Sequence, residues 1–143
     1  MAEGQKPAGA SDRVVTRLVA TRWSDKLVQK GWAPIAHSFL DLYAQLPEPL
    51  TPTEAMVVVM LMRFKWDERH PFPSLKRLGR MMGLGSTSIR NHVRSLERKG
   101  YVARVYRTGF SNSFDLTPLF RALEEAMERA DKTTPRAEPA ELV

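Results

Sequence analysis

The chain has 143 residues, 43% of them hydrophobic, no cysteine, and a formal net charge of +6. That length suits one domain with extensions, and the missing cysteines exclude disulfides and thiolate metal sites. No apolar run approaches the roughly 18 residues that a membrane span needs, the longest being Ala55 to Met62.

Residues 1–12 are small and polar with Gly and Pro, and read as a disordered N-terminal tail. Their sequence, MAEGQKPAGASD, lacks the apolar core of a secretory signal, so a cytoplasmic, nucleoid-associated protein is expected. Residues 13–50 form an N-terminal helical extension. Within it Val14, Val15, Leu18 and Val19 suit a helix or a strand equally, followed by Trp23, Leu27 and Val28. From Ala33 to Leu46 the spacing of Ile35, Phe39, Leu42, Tyr43 and Leu46 predicts a helix, begun after Pro34 and stopped by Pro47.

Residues 51–117 hold the main domain. Thr51-Pro52-Thr53-Glu54 combines a capping residue, a proline suited to the first helical position and the acid of a capping box. The helix it starts runs to about Trp66 and is apolar almost all round, so a buried central helix is expected, with Met56, Met60 and Met62 filling the core. A proline-bounded loop, Trp66 to Pro73, follows. Asp67, Glu68 and His70 lie in it without a fourth ligand at sensible spacing, so no metal site is expected. Ser74 caps the next helix and Gly83 closes it in the left-handed conformation. Ser86 is expected to cap a further helix, which Gly100 ends. Residues 101–116 then read as a β-hairpin: YVARVY alternates as a half-buried strand, RTGFSN turns, and SFDL returns. Thr117-Pro118 opens a C-terminal helix over 118–131 with Leu119, Phe120, Leu123, Ala126, Met127 and Ala130 on one side; residues 132–143 read as a disordered tail.

Charge is concentrated in one part of this plan. Residues 74–110 hold nine basic side chains (Lys76, Arg77, Arg80, Arg90, Arg94, Arg98, Lys99, Arg104 and Arg107) against Glu97 alone. Solubilising surfaces usually mix both signs, so a positive field confined to one segment is the footprint of a polyanion-binding surface. On the helix from Ser86, Ile89, Val93 and Leu96 fall within about 60° of arc, a usable core stripe. Thr87, Asn91, Arg94 and Arg98 cluster opposite, with Arg90 beside them.

The stretch PSLKRLGRMMGLGSTSIRNHVRSLERKGYVARV resembles the bacterial winged helix-turn-helix domains, in particular those of GntR-type regulators and of phage and plasmid replication proteins. The matching elements are Gly79, Gly83, Ser88-Ile89-Arg90, Leu96, Gly100 and Val102, and the upstream LTPTEAMVVVMLMRFKW is similar to the first helix of the replication group. The resemblance covers roughly residues 33–120. Gly79 departs from it by replacing the usual alanine, a change that costs about 1 kcal/mol of helix propensity. The effector-binding domain of GntR regulators is absent, so no small-molecule sensing domain of that kind is carried over, and no cofactor is expected.

The resulting expectation is a mainly α fold with a small β-hairpin wing, binding double-stranded DNA sequence-specifically as a transcriptional regulator. Thr87, Arg90, Asn91 and Arg94 are the expected base readers, since Arg suits guanine, Asn adenine and Thr the thymine methyl. Lys76, Arg77, Arg80, Ser86, Ser88, Arg98, Arg104 and Arg107 are the expected phosphate contacts. A replication or mobile-element accessory role, or a winged helix turned protein-interaction module, are the alternatives. An enzyme is not expected: the basic segment has one acid and one histidine, and GLGS lacks both the Lys-Ser/Thr ending and the preceding strand of a phosphate loop. Because one winged helix covers a short site, a homodimer through helix 118–130 or the N-terminal extension is expected.

Overall fold

A computed structural model of the chain describes residues 9–65, 69–71, 73–109 and 112–133. Asp67 and Glu68, Phe110 and Ser111 of the hairpin tip, and residues 1–8 and 134–143 of the expected tails lie outside the described residues. Two units are distinguished, Met1–Pro34 and Ile35–Val143.

In the first unit, the helix-or-strand ambiguity resolves to helices α1 (Ala10–Ala20) and α2 (Asp25–Val28). The expected tail is thereby shortened, because Asp12 sits at the third helical position and its carboxylate accepts from the Gly9 N–H at 3.2 Å. Ser24 caps α2 by accepting from the Leu27 N–H, and Trp32 Nε1 donates to the Thr16 hydroxyl at 3.2 Å. α1 buries no residue, and Val28 is the one buried hydrophobic side chain described here.

The second unit begins at Ile35, so the expected boundary at residue 51 moves toward the N-terminus. The cause is apolar: Phe39, Leu46 and Leu50 belong to the same core as the helices that follow. α3 (His37–Leu42) starts later than expected, because the chain stays extended through Ala36, and it ends in a 3-10 turn at Tyr43–Gln45. Phe39 and Tyr43 stack at 5.8 Å. α4 (Pro52–Arg63) has the expected capping box: Thr51 Oγ1 accepts from the Glu54 N–H, and Glu54 Oε1 accepts from the Thr51 N–H at 2.8 Å. It stops at Arg63 rather than Trp66. Val57, Val58 and Leu61 are buried, but Met56 is 49% exposed, so the helix keeps one solvent side.

Glu54 does more than cap. It is 2% exposed, and Lys99, just past the end of α6, donates to its Oε1 at 2.6 Å and to the Pro49 carbonyl at 2.8 Å. Burial pushes the Glu54 carboxyl up, but hydrogen bonds from Lys99, the Ser95 side chain and the Thr51 backbone, with the Lys99 charge, outweigh it and hold the pKa at about 2. The start of α4 and the end of α6 are therefore fastened electrostatically.

α5 (Leu75–Met82) opens on Ser74, whose hydroxyl accepts from the Arg77 N–H, and closes on Gly83 at φ 67°. The Gly83 N–H donates to Arg80 O and the Leu84 N–H to Gly79 O, the paired bonds of a Schellman turn. α6 (Ser86–Arg98) ends the same way at Gly100, φ 81°, with Gly100 N–H to Glu97 O and Tyr101 N–H to Leu96 O. Ser86 does not cap α6. Gly85 does, since the Schellman turn leaves the chain extended there and Gly85 O already accepts from the Ile89 N–H. Gly79 stands at the crossing of α5 and α6: a Cβ there would lie 3.0 Å from Leu84 O and 3.3 Å from Ile89 Cγ2.

Strands β1 (Ala103–Val105) and β2 (Ser113–Asp115) pair antiparallel with Arg104 opposite Phe114. The Phe114 N–H turns the other way and donates to Pro71 O at 2.8 Å, so β2 is held on both edges. α7 (Thr117–Thr133) starts one residue before the expected Pro118 and takes in Lys132 and Thr133. Thr117 is not its cap: Asp115 Oδ1 accepts from the Thr117 N–H at 2.9 Å. Hydrogen bonds from the Thr117 side chain and backbone lower the Asp115 pKa. Leu119, Leu123 and Ala126 of α7 are buried in the unit's own core. The architecture is a winged helix-turn-helix, mainly helical with a two-stranded hairpin.

Two outcomes follow for stability. Gly79→Val should destabilise the fold by about 1–3 kcal/mol, because a backbone carbonyl faces the added atoms and cannot yield cheaply; urea unfolding measures it. Glu54 has a folded pKa below its ordinary 4.5, so its contribution is complete above that pH and lost as pH falls toward 2. Glu54→Gln should therefore cost about 3 kcal/mol at pH 7 and almost nothing near pH 2, read from denaturant unfolding at several pH values.

Candidate nucleic-acid interface

The two glycine-closed turns set which side of α6 faces out. Ile89, Val93 and Leu96 are buried, and Thr87, Arg90, Asn91, Arg94 and Arg98 are exposed. Asn91, Arg94, Glu97 and Arg98 line a concavity of about 470 Å³ on that face. Ser86 is exposed as the first residue of α6, where helix N–H groups favour anions, while Ser88 is half-buried. On α5, Lys76 and Arg80 are exposed. Arg77 is half-buried and lies over the Phe64 ring at 4.8 Å.

The cations thus divide into two kinds. Lys99 is half-buried and its ammonium is engaged, bound to Glu54 and Pro49 O. Arg104, expected to touch phosphate, is 19% exposed along its side chain; its Nη2 donates to Glu97 Oε1 at 2.7 Å and its guanidinium lies 5.9 Å from the Phe114 ring centre. Arg104 is thereby engaged within the fold, and so is Glu97, the acid that would otherwise oppose an anionic ligand on this face. Arg107, the other expected wing cation, is half-buried.

One residue the sequence reading left out is Arg63 at the end of α4, whose guanidinium lies over the same Phe64 ring at 4.7 Å. Stacking orients an arginine fork at little entropic cost, as nucleic-acid sites require. The signal was present in RFKW, but residues 1–73 as a whole are nearly neutral and hid it. His70 Nδ1 lies 3.7 Å from Asp115 Oδ1, which links the segment before α5 to β2. Among the described residues no helix is long and apolar enough to cross a membrane.

Residues 48–102 match a family described as a helix-turn-helix domain, a span from the turn before α4 through the residues just after α6. No curated protein matches the chain. Among solved structures, the YusO protein from Bacillus subtilis is similar to it over 90% of this chain and 88% of that one, at 15% identity and a TM-score of 0.41. The chain accordingly carries a helix-turn-helix domain, with α5 and α6 as its two helices.

Proposed function

We propose that this protein binds duplex DNA sequence-specifically, with α6 in the major groove, the β1–β2 hairpin as the wing, and control of transcription as its use in the cytoplasm. The observation that carries the reading is the exposed face of α6. Thr87, Arg90, Asn91 and Arg94 offer donors and a methyl suited to base edges, beside Arg98, and Glu97, the one acid of segment 74–110, is already engaged by Arg104. Lys76 and the Phe64-stacked Arg77 in the first turn of α5, with Arg80 in its last turn, would grip phosphate, and the helix start at Ser86 adds backbone donors. Marking a replication origin would use the same face, and the narrower likeness to GntR-type or replication-protein domains belongs to the same proposal. Binding of this kind needs no catalytic group and no cofactor.

A single winged helix reads a short site, so two copies on a palindrome complete the proposal. Leu119, Leu123 and Ala126 already serve the core of their own unit, which favours the N-terminal extension over α7 as the interface. Val14, Leu18 and Trp23 are exposed there.

Fluorescence anisotropy with random duplex should show log affinity falling steeply with log salt; a flat response would instead indicate a protein-interaction module and overturn the reading. On a duplex selected from a random pool, Arg94→Ala should weaken specific binding by about 1–3 kcal/mol. Lys76→Ala should weaken all sequences alike and reduce the salt slope by about 1. Equal behaviour of both variants on specific and random DNA would contradict the assignment of α6.

A further inference from the structure

Glu97 and Arg104 have no contact role in this reading, yet Arg104 Nη2 lies 2.7 Å from Glu97 Oε1. Glu97 lines the α6 concavity beside Asn91, Arg94 and Arg98, where an uncompensated carboxylate would repel phosphate. Arg104 stands on β1 directly opposite Phe114, one of the most deeply buried side chains. Its guanidinium is thus held by a carboxylate from α6 on one side and the ring of its cross-strand neighbour on the other. Among the described residues, Arg104 Nε is buried with no hydrogen-bond partner. An arginine placed to grip a phosphate would turn that N–H outward; this one gives it up, at a desolvation cost, to keep its position between α6 and β2.

We propose that Glu97 and Arg104 are positioning residues, an ion-pair latch that fixes the wing against α6, and that Arg104 acts on DNA only through the wing it aims. The proposal rests on the DNA-binding reading for its functional consequence, not for its geometry. Each strand of the hairpin has three residues, a ladder too short to hold its own orientation; Pro71 O holds β2, and the Arg104–Glu97 pair ties β1 to α6. The latch also accounts for an acid in an otherwise acid-free segment: paired at 2.7 Å, Glu97 fastens the wing while presenting little net negative field.

A phosphate-gripping Arg104 and a latching Arg104 give opposite signs. If Arg104 gripped phosphate, Glu97→Ala would tighten duplex binding by removing an acid and releasing the guanidinium. Arg104→Ala would lower the salt slope by about 0.9. With a latch, Glu97→Ala weakens binding about three- to tenfold even though it makes the protein more positive. Arg104→Ala does the same, the double variant is no worse than either single one, and Glu97→Arg combined with Arg104→Glu recovers most of the affinity.

The experiment is anisotropy of the wild type, the single variants, the double variant and the charge swap at two salt concentrations. In parallel, amide hydrogen exchange of residues 103–105 and 113–115 is measured in the free protein, where both single variants should exchange several-fold faster and the swap should restore protection. Circular dichroism at the assay temperature checks folding; should Glu97→Ala fail that check, Glu97→Gln replaces it, with a smaller loss expected in the same direction. Tighter binding by Glu97→Ala, additive losses in the double variant, or unchanged hairpin exchange would each overturn the latch. A wild type that binds no duplex would overturn the DNA reading instead, and the exchange data would then decide the latch alone.

Discussion

The close approach of α5 and α6 at Gly79 is the constraint on which the rest of the winged helix turns. With no Cβ, the α5 backbone comes within about a van der Waals contact of Ile89 and of the Leu84 carbonyl. That contact fixes the crossing and brings Ile89, Val93 and Leu96 down onto Leu78 and α4 in one core. Once those three are committed, helical geometry sends Thr87, Asn91, Arg94 and Arg98 outward together. The polar face is therefore set by what is buried beneath it. The propensity that glycine forfeits in mid-helix is small against the packing it permits.

A second layer of order is electrostatic and works over distance in the chain. Glu54 joins the start of α4 to the end of α6 through Lys99, and Glu97 joins α6 to β1 through Arg104. Between them these pairs account for two of the nine cations of segment 74–110 and for its single acid. What remains on the outside is more purely cationic than the sequence count alone conveys, because the acid is consumed internally. Arg63 and Arg77, stacked on Phe64, extend the same logic to the end of α4.

The parts legible in the sequence are those decided within a few residues. The capping box at Thr51 and Glu54, the Ser74 cap, the left-handed Gly83 and Gly100 and the apolar stripe of α6 all depend on local spacing, and each is where it was expected. Where several residues could do one job, local spacing does not decide among them. Ser86 is the better capping residue by type, but the turn from Gly83 delivers the extended conformation to Gly85. At the start of α7 the side chain that accepts a backbone N–H is Asp115, two residues earlier, and the N–H is that of Thr117 itself. Side chains that meet across the fold were out of reach: nothing near Lys99 points to a carboxylate 45 residues earlier, and Arg104 looks like any wing arginine until Glu97 is placed beside it. Met56 shows the same limit, since an all-apolar helix does not announce which side is left uncovered.

The two ion pairs also differ in a way that bears on how this chain can change over generations. The Glu97–Arg104 pair is symmetrical in principle: exchange the charges and the attraction survives. Glu54 with Lys99 is not. A lysine at 54 could not accept the Thr51 N–H, so reversing the charges would keep the attraction and dismantle the helix start. Position 54 is locked to an acceptor by one neighbour and to a negative charge by another. Drift at Lys99 therefore has no compensating route through 54, and the junction of α4 with α6 should be among the slowest parts of this fold to diverge.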